Sequence, residues 1–208
     1  MSDSTNVQTD INFALSSLPL PVRLRPGTPM NDLELMRFSR ENRPLRMERE
    51  ENGDILIMTP TGSRTGDMNH KIGMILGLWA EEDGRGVTFD SSTGFRLPNG
   101  AVRSPDASWL VNERWDAMTS EEQDGFGVCP DFIIELTLPS DRLPQVKKKI
   151  VEQWLPSGVS LVWLIDTESR TVAIFRPGEE PELLHDPSSV QGTGLVSGFE
   201  LVMARIWG

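Results

Sequence analysis

Tyrosine is absent from this 208-residue chain, cysteine occurs once and histidine twice. A single thiol, Cys129, excludes an internal disulfide and any multi-cysteine zinc or iron–sulfur centre. It enters an apolar run, where a small residue packs, so it is a poor candidate for a nucleophile. His70 and His185 are too few for a histidine-rich metal site, whereas a hard, oxygen-liganded cation such as magnesium stays compatible with the composition. Long apolar runs are missing as well. The nearest approach, Ile72 to Ala80, falls far short of the roughly 18 residues a membrane helix requires. Met1-Ser2-Asp3-Ser4-Thr5-Asn6 lacks the basic and apolar regions of a signal peptide, and a cytoplasmic location is expected. No Gly-x-Ser-x-Gly elbow is present, and Gly192-Thr193-Gly194 lacks the context and spacing of a phosphate cradle, so it reads as a loop.

Positive charge is also scarce: 20 Lys and Arg stand against 31 Asp and Glu, a net charge of -11. A nonspecific nucleic-acid binder carries a basic surface to displace counterions, and the chain as a whole has none. The basic residues are clustered, however. Arg23, Arg25, Arg37, Arg40, Arg43, Arg46 and Arg49 come early, and Lys147, Lys148 and Lys149 stand together later, so local basic surface is compatible with an acidic total. The apolar share of 38%, with 18 Gly and 15 Pro, is that of an ordinary soluble protein. The length favours a mobile N-terminal arm over 1–27 and a single domain over 28–208.

What the chain does contain is a strongly apolar strand, Phe132 to Leu138, with one carboxylate in its middle. Alternation puts Phe132, Ile134, Leu136 and Leu138 on one side and Ile133, Glu135 and Thr137 on the other. A buried ionised carboxylate costs several kcal/mol unless compensated, so Glu135 requires a lysine, a metal ion or both from elsewhere in the fold.

Around this strand the pattern is α/β. Asn31 to Glu41 reads as a short helix started by Asn31 or Asp32. Leu45 to Met58, with Asn52-Gly53 between two strand-like runs, signals a hairpin that carries Glu48 on its first strand. Asp67 to Glu82 reads as a helix with Ile72, Ile75, Leu76 and Trp79 inward, and Gly73 and Gly77 as points of close packing on a sheet. Val87 to Phe89 and Ser108 to Val111 are strand-like. Asn112 to Gly127 is polar, with Thr119 to Glu122 suited to cap a helical turn. After the Glu135 strand, Ser140 or Asp141 caps a helix carrying Val146, Ile150 and Trp154, stopped by Pro156 and Gly158. Ser160 to Ile165 and Thr171 to Arg176 form an antiparallel pair, and Phe199 to Ile206 is a last apolar stretch. Trp154 reads as core.

Asp106 precedes one strand, Glu135 lies within another and Lys149 sits on the helix that follows. Two carboxylates from neighbouring strands suit a divalent cation with positions left for water and phosphate, and an ammonium beside them suits the charge that develops at phosphorus. These are parts for phosphodiester hydrolysis.

The order Pro105-Asp106, Glu135 and a lysine resembles the PD-(D/E)XK nuclease superfamily. The wider chain is similar to the Uma-type family of restriction endonucleases through Arg46-Met47-Glu48, Pro60-Thr61-Gly62-Ser63, Phe89-Asp90-Ser91-Ser92-Thr93-Gly94-Phe95, Leu97-Pro98-Asn99-Gly100, Cys129-Pro130-Asp131-Phe132, Pro139-Ser140-Asp141 and Trp163-Leu164-Ile165-Asp166. The resemblance implies a restriction-endonuclease-like core, a central mixed sheet flanked by helices with an N-terminal hairpin extension. It further implies Mg2+ or Mn2+ at Asp106 and Glu135, DNA as substrate, and a homodimer. The superfamily's lysine two residues after the glutamate is replaced here by Thr137, and the resemblance assigns its role to a lysine on the next helix. Counting from Ser140-Asp141 gives Lys149, with Lys148 in reserve and Lys147 beside it. Counting back from Trp154 and Gly158 gives Ile150, which places a one-residue insertion nearby. Glu48 matches the family's upstream glutamate, Trp154 stands where the family has tyrosine, and His70 lies near a polar position of the family's helix. The competing reading is a nuclease-like binding or assembly module without turnover, favoured by the acidic total and the displaced lysine.

Overall fold

A computed structural model of the chain describes residues 21–137 and 143–207. Most of the arm over 1–27, the strand end at Leu138 and the caps at Ser140 and Asp141 lie outside the described residues. The elements are β1 (Val22–Leu24), α1 (Asp32–Glu41), β2 (Arg46–Arg49), β3 (Ile55–Met58), α2 (Ser63–Asp83), β4 (Gly86–Asp90), β5 (Phe95–Arg96), β6 (Val102–Arg103) and β7 (Ala107–Val111). After these come α3 (Asn112–Asp116), α4 (Ser120–Asp124), β8 (Gly127–Val128), β9 (Phe132–Thr137), α5 (Leu143–Lys149), β10 (Leu161–Asp166), β11 (Thr171–Phe175), β12 (Glu182–His185), β13 (Ser189–Gln191) and β14 (Glu200–Val202).

The main sheet runs in the order β12-β11-β10-β9-β7-β4 and is mixed, with β9 and β10 parallel and the other neighbours antiparallel. Strand β9 is buried on both faces, as its near-continuous apolar run requires. Phe132, Ile134 and Leu136 join α2 and the C-terminal segment in one core, where Trp163 stacks on Phe199. Ile133 faces the other core, with Ile150 and Trp154. The N-terminal hairpin does not stand apart: it belongs to a second six-stranded sheet, β1-β3-β2-β6-β5-β8, closed over Leu35, Ile55, Ile57 and Val102. No helix among the described residues is long and apolar enough to cross a membrane.

Local signals account for most boundaries. Asn31 caps α1 in a reciprocal box with Glu34, and Thr119 caps α4 in the same way with Glu122. The hairpin turn is wider than Asn-Gly alone implies. Glu50 donates its amide to the Asp54 carbonyl, so three residues close the turn and only Gly53 takes a positive φ, 86°. Helix α2 starts at Ser63, a turn earlier than expected; Gly66, a turn residue in sequence, is helical because its amide reaches the Gly62 carbonyl.

The glycines of α2 are not contact points, contrary to the sequence expectation. A Cβ on Gly73 would meet nothing within 4 Å, and one on Gly77 only Thr88 Oγ1 at 3.7 Å. The close approach is at Gly86, where a Cβ would lie 2.3 Å from the Trp109 ring. Gly73→Ala is therefore expected to stabilise the fold by roughly 0.5–1 kcal/mol through helix propensity. Gly86→Ala is expected to destabilise it by about 1–3 kcal/mol through overpacking. Chemical denaturation midpoints of the two variants should move in opposite directions.

Candidate active site

Strands β7 and β9 pair antiparallel with Ala107 opposite Ile134, so the register continues outward to set Asp106 opposite Glu135. The Leu136 amide, which has no strand partner there, donates to Asp106 Oδ2 at 2.8 Å. Asn69 of α2 donates to Asp106 Oδ1, also at 2.8 Å. Two carboxylates separated by 29 residues of sequence are thus fixed side by side by sheet register alone.

The second sheet supplies Glu48. Strand β2 meets β6 at Arg49 and Val102, and the Ser104 amide, just past β6, donates to Glu48 Oε1 at 3.2 Å. Buried Arg103 approaches Glu48 Oε2 at 3.6 Å while also bonding Glu50, Gln153 and the Arg49 carbonyl. The segment from Val102 to Ala107 therefore ties the two sheets together at the site.

Lysine 149 comes from α5. Its Nζ lies 3.0 Å from Glu135 Oε1 and 3.7 Å from Glu48 Oε1. Lys147 and Lys148 are exposed, and Lys148 pairs instead with Glu152 one turn along. Thr137, at the superfamily's lysine position, is buried with its hydroxyl turned to the Ile165 carbonyl. Right after Lys149 the helix opens into a π turn, Ile150–Trp154, closed by the Leu155 amide on the Ile150 carbonyl. In an α-helix, residues five apart sit roughly 140° apart around the axis. The wider turn brings Lys149 and Trp154 to one face, and both reach Glu135 Oε1, the indole N–H at 2.9 Å. A π turn holds one residue more than an α turn, the size of the insertion the sequence count implies.

Trp154 is thus more than core, a correction to the sequence reading: fully buried, it is also a donor to Glu135. Asn69 and Arg103 carry no signal in the sequence, because each arrives from an element remote from the acids in the chain, and Arg46 stands there only as one of the early arginines and in the phrase Arg46-Met47-Glu48. His70, by contrast, is exposed and makes no hydrogen bond to these carboxylates among the described residues. Cys129 is buried, and burial pushes its thiol up to about 12, which removes it as a nucleophile at neutral pH.

The electrostatics divide the three acids. Burial would raise Glu48, but Lys149, Arg103, the Ser104 amide and Arg46 outweigh it and hold it below the ordinary carboxylate range. Burial does raise Glu135, which Lys149 opposes only in part and the charge of Asp106 reinforces. Asp106 is raised too, by burial, against the Leu136 amide, Arg46, Lys149 and Asn69. Lys149 would be lowered by burial, yet Glu135 and Glu48 hold it above its usual value, so it is an ammonium at neutral pH. Asp106 and Glu135 are consequently the pair short of positive charge, and the buried Oδ1 of Asn69 beside them has no hydrogen-bond partner. A hard divalent cation suits this donor set. Among the described residues no three His, Cys, Asp or Glu side chains gather into a metal cage.

A family model described as "Uma2: Putative restriction endonuclease" matches residues 30–204. Among solved structures, the chain is similar to a putative nuclease belonging to DUF820 from Anabaena variabilis ATCC 29413. The TM-score is 0.68 at 21% identity, over 86% of this chain and 98% of that one, a likeness of fold. The DrdV–DNA complex matches at a TM-score of 0.38 and 17% identity, over 56% of this chain and 10% of that one, too slight to bear on fold or function. No curated protein matches the chain.

The raised Asp106 has a consequence for stability. Its folded pKa lies above the ordinary 3.8, so the folded state binds the proton more tightly and ionised Asp106 costs stability at neutral pH. In chelator, the cost contributed by Asp106 should fade as pH falls through the folded value and be gone near the ordinary one, while groups held low, such as Glu48, lose stability over the same fall, so the Asp106 part is read as the difference between the parent and Asp106→Asn. Asp106→Asn removes this cost, and Asn69 can turn its free oxygen to the new amide. The variant is expected to melt roughly 2–4 °C higher at pH 7, on the order of 1 kcal/mol, with a flatter pH profile in calorimetry.

Proposed function

Because the chain belongs to the Uma2 family of restriction-endonuclease-like proteins, we propose that it hydrolyses DNA phosphodiester bonds with Mg2+ or Mn2+ held by Asp106 and Glu135. The observation that carries this reading is the meeting of Asp106, Glu135 and Lys149, drawn from three elements, with Lys149 Nζ 3.0 Å from Glu135. The cation, when bound, supplies Lewis-acid stabilisation of the scissile phosphate.

The protein's own groups do the rest. Lys149, held protonated, is a donor and a positive charge rather than a base, suited to orient the attacking water and to stabilise charge building on the phosphoryl oxygens. Glu48 acts through Lys149: its low pKa keeps it ionised, and its carboxylate pulls the ammonium into place. Trp154 and Asn69 orient Glu135 and Asp106 as donors to one oxygen of each. The new P–O bond forms from water, which gives up a proton to solvent, as the bond to the leaving sugar oxygen breaks, and that oxygen takes a proton from solvent in turn. A homodimer would place two such sites on the two strands of a duplex.

Purified protein is expected to cut DNA in Mg2+ or Mn2+ and not in EDTA. Glu135→Ala and Lys149→Ala should each lose about 10²-fold or more, with Lys148→Ala near the starting rate. Cleavage undiminished in Glu135→Ala sinks the assignment, and no cleavage of any DNA or RNA favours a binding or assembly module. Independently of turnover, Mg2+ should raise the melting temperature in a concentration-dependent way, an effect absent from Asp106→Asn. Light scattering is expected to give twice the chain mass.

A further inference from the structure

Two cavities are lined by residues that hold the site's carboxylates, and they share Ser91 and Ser92. One, of about 440 Å3, contains Arg43, Arg46 and Ser104; the other, of about 730 Å3, contains Asn69 and His70. Ser104 holds Glu48 through its amide, and Asn69 holds Asp106 through its side chain, so each cavity is lined by a residue that holds one of the acids. A polymeric substrate needs room on both sides of the bond that is cut.

The smaller cavity has an unusual charge. Arg46 lies two residues before Glu48 on β2 and on the same face, and its field reaches both Glu48 and Asp106. Yet among the described residues no carboxylate lies within ion-pair distance of it, and Nη2 is held by the Ser91 carbonyl at 2.9 Å. The nearest acid of that loop, Asp90, is taken up by the Ser92 amide and hydroxyl at 2.9 and 2.7 Å and by the Thr93 hydroxyl. The loop is therefore locked in the form that presents its carbonyl to Arg46. Among the described residues one hydrogen bond engages this half-buried guanidinium, so most of its five donors are free, and with exposed Arg43 beside it the pair is a preorganised anion site in a protein of net charge -11. The lining also includes apolar Leu35, Met47 and Phe126, as a sugar and base require.

We propose that this cavity is a substrate subsite: Arg46, with Arg43 at the rim, binds the phosphate of the nucleotide adjoining the scissile bond. The inference deepens the nuclease reading and rests on it for the identity of the polymer. Its test reads binding without cleavage. Fluorescence anisotropy of a labelled single-stranded dT 12-mer, in EDTA at about 50 mM salt, should show roughly 10-fold weaker binding by Arg46→Ala. Arg43→Ala, which changes only an exposed rim residue, should bind about 3-fold more weakly, and Arg46→Lys should fall between the first variant and the parent. The slope of log affinity against log salt should shrink by about 0.7 for each arginine removed. Arg205→Ala, an exposed arginine near the C-terminus, should bind like the parent. Undiminished binding by both Arg46→Ala and Arg43→Ala, with melting temperatures unchanged, overturns the subsite, as does absence of binding by the parent. Arginine-dependent binding with no cleavage in Mg2+ leaves the subsite standing and refutes the nuclease; cleavage indifferent to Arg46 does the reverse.

Discussion

Glu135 is the constraint around which this molecule is arranged. A carboxylate in the middle of a strand covered on both faces has lost its water, and the loss must be offset by donors and positive charge brought to it. Lys149 and Trp154 meet that need from one direction, on a helix packed over β9, with both converging on Oε1. From another direction comes Asp106, which makes matters worse by adding like charge. Two ionisable acids kept side by side without full neutralisation cost the fold stability, the pattern that functional sites share.

The two sheets divide the labour. The main sheet fixes Asp106 against Glu135 by register, which cannot slip by one residue without turning every side chain of β9 to the wrong face. The second sheet delivers Glu48 and Arg46 on alternate positions of β2, and Arg103 ties that sheet to the helix through Glu50, the Arg49 carbonyl and Gln153. Lys149 is thus held between acids of both sheets. Its protonation is a property of the assembly, since neither glutamate alone has been asked to outweigh the cost of burying an ammonium.

Much of the architecture was legible from local chemistry. Asn31 and Thr119 announced their helices by capping boxes, the apolar run from Phe132 announced a buried strand, and alternation placed Glu135 on the side away from Phe132 and Ile134. Reading failed where a residue's surroundings were supplied from afar. Gly73 and Gly77 suggested close packing, but a side chain at Gly73 would meet nothing and one at Gly77 only an ordinary contact with Thr88; Gly86, which carries no such pattern, is the residue pressed on an indole ring. Trp154 reads as core by its period, and its hydrogen bond depends on an acid 19 positions earlier.

Taken by itself, the sequence determined the element types, the burial of β9, the scarcity of soft metal ligands, and the order Asp106, Glu135, lysine, because these follow from short-range periodicity and composition. Only tertiary structure decided which lysine reaches the acids. A π turn, one residue wider than an α turn, swings Lys149 and Trp154 onto the same face, and helical spacing in the text cannot register that turn because it is set by what the helix packs against. Likewise the shortage of positive charge at Asp106 and Glu135, and the unclaimed donors of Arg46, exist only once strands distant in the chain share a dry interior, where charges interact far more strongly than in water.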